Sequence, residues 1–266
     1  MTDPISRGVD VIDELCDRLS MDRGAANMAR MVLVRARDED ALAGRPVEVS
    51  AAAALLVVCR QMELPYAPRD VARASAALAE YDVEETGDNS PSLETRIGRT
   101  RAKIESAVGL ETRVTRPEAY LDRYVTALGL DSGVERVARQ VLSHARSADP
   151  QALTGRSPSG IAAGAVYTAG LLCDDRRTQR EVADAGSTSA ITVGTSYRVI
   201  LDAFGRDGIP FDREGGTKLN TDRIERDIEK RISESESESR SGSGSGSGSD
   251  ADRSANEDAD TVETTG

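Results

Sequence analysis

Leu42 to Ala72 reads LAGRPVEVSAAAALLVVCRQMELPYAPRDVA, and Leu153 to Ala183 reads LTGRSPSGIAAGAVYTAGLLCDDRRTQREVA. Set one above the other at a constant offset of 111, the two stretches share Gly44/Gly155, Arg45/Arg156, Ala51/Ala162, Ala52/Ala163, Ala54/Ala165, Arg69/Arg180, Val71/Val182 and Ala72/Ala183 without a gap. Upstream the match continues at an offset of 109, pairing Asp13 with Asp122, Leu19 with Leu128, Asp22 with Asp131, Ala29 with Ala138, Arg30 with Arg139 and Val32 with Val141. Downstream, RIGRTRAKI (Arg96 to Ile104) aligns with TVGTSYRVI (Thr192 to Ile200) at an offset of 96. The first copy therefore holds about fifteen extra residues, within the acidic, turn-rich stretch Ala76 to Glu94, which reads as a surface loop. Copies of about ninety residues are far longer than the 20–50-residue units of solenoids, so the chain is expected to carry two tandem domains of one fold.

Each copy reads as helical. Val9, Ile12, Leu15, Cys16 and Leu19 are spaced by three and four, and Met28, Met31 and Val32 mark a second helix. Ser50 to Met62 is apolar nearly all round and is expected to be the enclosed central helix, with Ser50 as its N-cap and Ser157-Pro158 serving the second copy. A fourth helix is predicted over Arg69 to Ala74 and Thr178 to Ala185, with Thr178 as N-cap, and a fifth over Ile191 to Phe204. The expected fold is all-α: two five-helix repeats around one buried helix each. The boundaries are 1–107 for the first repeat (insertion at 76–94), 108–116 for a linker, 117–205 for the second repeat, and 206–231 for a C-terminal extension. In that extension DRIERDIEKRI places Ile224, Ile228 and Arg231 either on a short amphipathic helix against the second repeat or on a frayed linker.

Composition excludes several classes of function. With 38% hydrophobic residues but only 3% aromatics and no Trp, the core must be built from Ala, Val, Leu and Ile, leaving little material for aromatic binding platforms. The longest apolar run, Ala51 to Cys59, is half the length of a membrane span, and MTDPISRGVD lacks the features of a secretory signal. A cytoplasmic protein with no membrane partner is expected. Cys16, Cys59 and Cys173 lie far apart with no zinc-type pairing, and Cys59 and Cys173 read as small buried hydrophobes. The single His144 has no nucleophile or acid at motif spacing, and Gly155-Arg156-Ser157 falls short of a phosphate-loop pattern. No catalytic residue, metal site or cofactor is expected, and the chain is not read as an enzyme.

The net charge is −12, with 31 Arg against 3 Lys and 25 Asp, a composition expected of a protein kept soluble in a high-salt cytoplasm. Residues 232–266 hold nine acids and two arginines; SESESES and then SGSGSGSGS offer no apolar face, so a disordered acidic tail is expected there.

The paired blocks GRSPSGIAAGAVYTAG, RRTQREVADAG and a helix ending in Tyr197-Arg198, with AAALLVVCRQ and RIGRT in the first copy, resemble the cyclin-like core of archaeal-type transcription initiation factor IIB over about residues 9–205. No cysteine pair precedes the first repeat, so the family's N-terminal zinc ribbon is not expected in this sequence. The resemblance implies two repeats that grip TATA-binding protein on bent promoter DNA, with a helix-turn-helix in the second repeat reaching the major groove. A monomer is expected, with any contact to RNA polymerase indirect. On that implication Thr178 to Ala185, the turn Gly186 to Ala190 and a recognition helix from Ile191 form the helix-turn-helix. Arg176, Arg177, Thr178, Gln179 and Arg180 are candidates for phosphate contact, and Thr192, Thr195, Ser196 and Arg198 for the groove. Arg96, Arg99, Arg101 and Lys103 form a basic cluster on the matching helix of the first repeat, suited to phosphate or to solvent. The helix reads ITVGTSYR, without arginine-to-guanine readout, so weak base specificity is expected. The implied function is an initiation-factor-IIB-like protein that takes part in or modulates preinitiation complex assembly; the alternative is a cyclin-like protein-interaction adaptor that binds no DNA.

Overall fold

A computed structural model of the chain describes residues 3–78, 91–186, 188–209 and 219–241, with side chains as far as Glu234. Among these residues all regular structure is helical, and no helix is long and apolar enough to cross a membrane. One unit runs from Met1 to Ile228 and contains both repeats; a second begins at Glu229.

The first repeat comprises α1 (Pro4–Arg18), α2 (Arg23–Asp38), α3 (Val47–Gln61), α4 (Pro68–Leu78) and α5 (Leu93–Val108). The second opens with a 3₁₀ turn (Pro117–Tyr120) and continues with α6 (Leu121–Leu128), α7 (Ser132–Ala148), α8 (Pro158–Leu172), α9 (Gln179–Ala185) and α10 (Ala190–Asp207). A further helix, α11 (Asp222–Ser241), follows.

Capping chemistry sets these boundaries. The Asp22 carboxylate accepts from the Ala25 N–H (2.8 Å), and Asp131, its counterpart across the repeats, accepts from the Gly133 N–H (2.6 Å). Ser157 caps α8 with Pro158 at its first position, as the sequence predicts. In the first copy the expected cap at Ser50 is replaced: α3 starts three residues earlier, at Val47, with Pro46 in the N-cap position, and Ser50 lies within the helix with its hydroxyl donating to the Pro46 carbonyl (3.0 Å). Proline holds the chain extended at Pro46, and Ser50, at a helical position, bonds four residues back and does not act as a cap.

α3 and α8 are the enclosed helices. Val49 to Cys59 and Ser159 to Leu172 are buried without interruption, since each helix is surrounded by the others of its repeat. Cys59 is buried within α3, Cys16 is buried on α1, and Cys173 is half-buried. Burial pushes the Cys16 thiol up to about 11 and raises Cys59 and Cys173 as well, the state of inert small hydrophobes. The His144 ring packs at a tilt against Phe204, ring centroids 5.4 Å apart.

Among the described residues the repeats meet at a polar joint beside Ala67, which packs on the second repeat's core. Arg123 on α6 donates to the Asp70 carboxylate on α4 (2.6 Å) and to the Pro65 carbonyl (2.7 Å), and its guanidinium lies over the Tyr66 ring at 5.0 Å. The Asp70 side chain is 1% exposed, and its second oxygen accepts from the Ala67 N–H (2.7 Å). The carboxylate is thus satisfied from both repeats at once, the condition under which a buried charge is tolerated.

The C-terminal stretch departs from expectation in one respect. Ile224 is fully buried against the second repeat's core, so the amphipathic alternative for 206–231 is the one adopted. The helix then runs past residue 232, where disorder was expected, to Ser241. Glutamates are good helix formers, Lys230 pairs with Glu234 one turn on (3.8 Å), and the Ser233 hydroxyl donates to the Lys230 carbonyl (2.7 Å). The rest of that tail, and residues 79–90 of the expected surface loop, lie outside the described residues.

Candidate nucleic-acid interface

α9 and α10 make a helix, a short turn and a second helix. α9 opens on a capping box: the Glu181 N–H donates to the Thr178 hydroxyl (3.2 Å), while the Thr178 N–H (2.6 Å) and hydroxyl (2.7 Å) donate to the Glu181 carboxylate. These bonds hold the Glu181 carboxyl below the usual carboxylate range. α10 opens on Ser189, whose hydroxyl accepts from the Thr192 N–H (3.0 Å) and bonds the Thr192 hydroxyl (2.8 Å).

The turn is fixed from beneath by Tyr124 of α6. Its hydroxyl donates to the Ser159 carbonyl (3.0 Å) and the Gly186 carbonyl (3.3 Å), tying α6, α8 and the turn together. A Cβ at position 186 would overlap the Tyr124 ring, so the glycine is required by packing. α10 then lies against α8 at a second close approach: a Cβ on Gly164 would stand 2.5 Å from Cβ of Ser196 and 3.0 Å from its backbone carbon.

That approach decides which candidates can face outward. Ser196, expected at the groove, is 5% exposed and packed on α8, because its position on α10 faces Gly164. Tyr197 is buried too, with its ring edge-on to Tyr167 and its hydroxyl donating to Asp227 of α11 (2.7 Å); burial, then that carboxylate, raises its pKa. The outward stripe of α10 is Ile191, Thr195, Arg198 and Asp202. Thr192 is half-buried and occupied with the cap.

Among the α9 candidates, Arg180 is exposed and Gln179 half-buried. Gln179 lies against Gly194, where an added Cβ would be 2.9 Å from its Oε1. Arg176 is exposed and pairs with Asp174 (3.1 Å). Arg177 is the exception to the expected solvent-facing set: it donates to Asp175 (2.6 Å), to the Leu128 carbonyl (3.2 Å) and to the Arg176 carbonyl (3.0 Å), and so buttresses the segment before α9.

α5 of the first repeat divides its basic cluster in two. Arg96, Arg99 and Lys103 share one face, with Arg99 and Lys103 exposed. Arg101 points the other way, bonded to the Glu105 carboxylate (2.5 Å) one turn on; Glu105 also accepts from the Thr112 hydroxyl. Its charge is spent within the repeat.

Sequence reasoning did not single out Tyr124, Arg123 or the side chain of Ile191. The last was legible: Val193, Tyr197, Ile200, Leu201 and Phe204 define the buried face of α10, and Ile191 lies off it.

A family model described as "Transcription factor TFIIB repeat" matches residues 1–86 and 110–203, one match per structural repeat. The chain is 34% identical over 194 residues to transcription initiation factor IIB 3 of Halobacterium salinarum, covering 73% of this chain and 56% of that protein. It is 30% identical to the transcription initiation factors IIB of Methanothrix thermoacetophila (72% of this chain, 52% of that protein) and Archaeoglobus fulgidus (73% and 54%). The chain spans little more than half the length of these curated relatives. With two all-helical repeats matched in order and relatives at this identity over nearly three quarters of its length, the chain belongs to the transcription initiation factor IIB family.

Proposed function

We propose that this protein docks on TATA-binding protein at promoter DNA and takes part in, or modulates, preinitiation complex assembly. The observation that carries the reading is the α9–turn–α10 unit, held by the capping box, by Tyr124 under Gly186 and by the α8–α10 contact. Such a unit presents the first turns of its second helix to a major groove while the first helix crosses the backbone. Arg180 and Arg198, exposed on the two helices, supply the phosphate contacts, and Arg96, Arg99 and Lys103 on α5 supply a second basic face.

With a net charge of −12, nonspecific attraction to DNA is weak, and in high salt counterion release adds little. Docking therefore depends on the protein partner and on the shape of bent DNA. The test is a gel shift on a TATA-containing fragment at high potassium chloride, with and without TATA-binding protein. A supershift that requires TATA-binding protein and weakens in Arg180→Ala with Arg198→Ala supports the reading. No supershift from a folded chain overturns it. The adaptor reading has its own observation, the exposed pair Met28 and Met31 on α2, beside Val108 and Leu110; it moves to first place in that case.

A further inference from the structure

The family match ends at residue 203, yet a segment well beyond it, residues 219–228, lies on the second repeat. Apolar contact anchors this segment. Ile224 is fully buried in that repeat's core, and Leu219 and Ile228 are half-buried against it. Ile228 rests beside Gly205 of α10, where an added Cβ would stand 3.5 Å from its Cγ2.

Polar contacts tie the same segment to both sides of the α9–turn–α10 unit. The Asn220 N–H donates to the Leu172 carbonyl (2.7 Å), one of the carbonyls that the end of α8 leaves without a helical partner. The Asn220 carboxamide donates to both oxygens of Asp174 (3.0 and 3.2 Å), and Asp174 also accepts from Arg176. Asn220 and the residues that lead into α9 therefore share one carboxylate. On α10 the buried Tyr197 hydroxyl has Asp227 as its hydrogen-bond partner among the described residues (2.7 Å), and a buried tyrosine hydroxyl requires one. The donors in these ties are neutral, an amide, a carboxamide and a phenol, so they outlast exposed ion pairs in high salt.

We propose that residues 219–228 are a strap that controls docking by the α9–turn–α10 unit: seated, it holds the entry to α9 and the middle of α10 in one arrangement, and released, it lets them loosen. Resting on the docking reading, the proposal adds to it a regulation of that unit by a segment outside the family-matched repeats. α9 has seven residues, too few to be a stable helix without packing around it, so its place depends on what holds its ends. When the strap is released, Tyr197 and Asp174 lose their partners on it. Affinity for DNA then falls by the fraction of time that the unit is out of place. The coupling is reciprocal: DNA held by α9 and α10 favours the seated strap.

The test uses the full chain at high potassium chloride and two readouts. Amide hydrogen exchange at residue 220 reports opening of the strap, and a gel shift on a TATA-containing fragment with TATA-binding protein reports docking. Asn220→Ala with Asp227→Ala removes the polar ties and leaves the core intact, whereas Ile224→Asp expels the strap. Both should speed exchange at residue 220 and through α9 and α10, leave exchange in α1 to α5 unchanged, and weaken the supershift about tenfold, a usual size for coupling between sites. Asn220→Ala with Asp227→Asn, which returns an acceptor to Tyr197, should dock more tightly than the version with alanine at 227. In the wild type, binding of the TATA-binding protein–DNA complex should slow exchange of the Asn220 amide, which a merely structural strap would not show. Variants that open the strap yet supershift like the wild type, variants that leave the strap closed, or an Asn220 amide indifferent to DNA would overturn the strap and leave docking intact. No supershift from a folded wild-type chain overturns docking and the strap's control of it together.

Discussion

α5 and α10 occupy equivalent places in the two repeats and face outward with different chemistry. Both carry a buried hydroxyl at the same position, Thr100 (3% exposed) and Ser196 (5%), directed into the repeat. Outward, α5 displays Arg96, Arg99 and Lys103, whereas α10 displays Ile191, Thr195 and a single Arg198 before Asp202. At the position aligned with Gly164 of α8, where a Cβ would stand 2.5 Å from Ser196, α3 has Ala53. One fold has thus yielded a basic outer face in the first repeat and a sparsely charged one in the second. Duplication preserves what the core requires and frees the surface to diverge.

The joint between the repeats gives the largest test of that picture. Arg123→Ala should cost about 3–5 kcal/mol, since it strands the buried Asp70 carboxylate, and should split a single urea-unfolding transition into two. A single transition with an unchanged midpoint would show that the repeats cohere without this contact.

Gly186→Ala and Gly164→Ala should each cost about 1–3 kcal/mol by overpacking against Tyr124 and the α10 backbone, read as a shift in the denaturation midpoint. Ala53→Gly, the reverse exchange in the first repeat, should cost about 1 kcal/mol, the ordinary price of glycine in a helix. Equal costs at Gly164 and Ala53 would remove the packing difference between the repeats.

Salt titration separates the two faces. Arg99→Ala with Lys103→Ala should reduce the slope of log affinity against log salt by about 2, and Ile191→Ala should leave it unaltered. If the slopes move together, the difference in charge between the two faces does not govern how each meets DNA.

The smallest effect concerns the start of α9. Because its hydrogen bonds lower the Glu181 pKa from the ordinary 4.5, the unfolded chain binds that proton first as pH falls. The cap's contribution is complete above that value and is lost as pH falls through the folded value. A Glu181→Gln variant should flatten this part of an acid-unfolding curve.

Periodicity, capping residues and the repeat itself determined the helices, their number per repeat and the two enclosed ones, because each is written in local spacing. Thr178 and Ser157 were legible as caps for the same reason: a hydroxyl there meets the N–H three residues on, of Glu181 and Gly160, whatever else the chain does. Even α11 announced itself through Ile224 and Ile228, although its helix outran the reading by ten residues into a segment with no apolar face. Tertiary structure decided which polar side chains remain available. Arg177 and Arg101 look in sequence like Arg180 and Arg99, but a carbonyl of Leu128 and the carboxylate of Glu105 capture them. Ser196 turns inward because Gly164 on another helix makes room for it, and Tyr124 reaches Gly186 across 62 positions of chain. Spacing fixes a side chain's angle on its own helix; only packing fixes what stands opposite it.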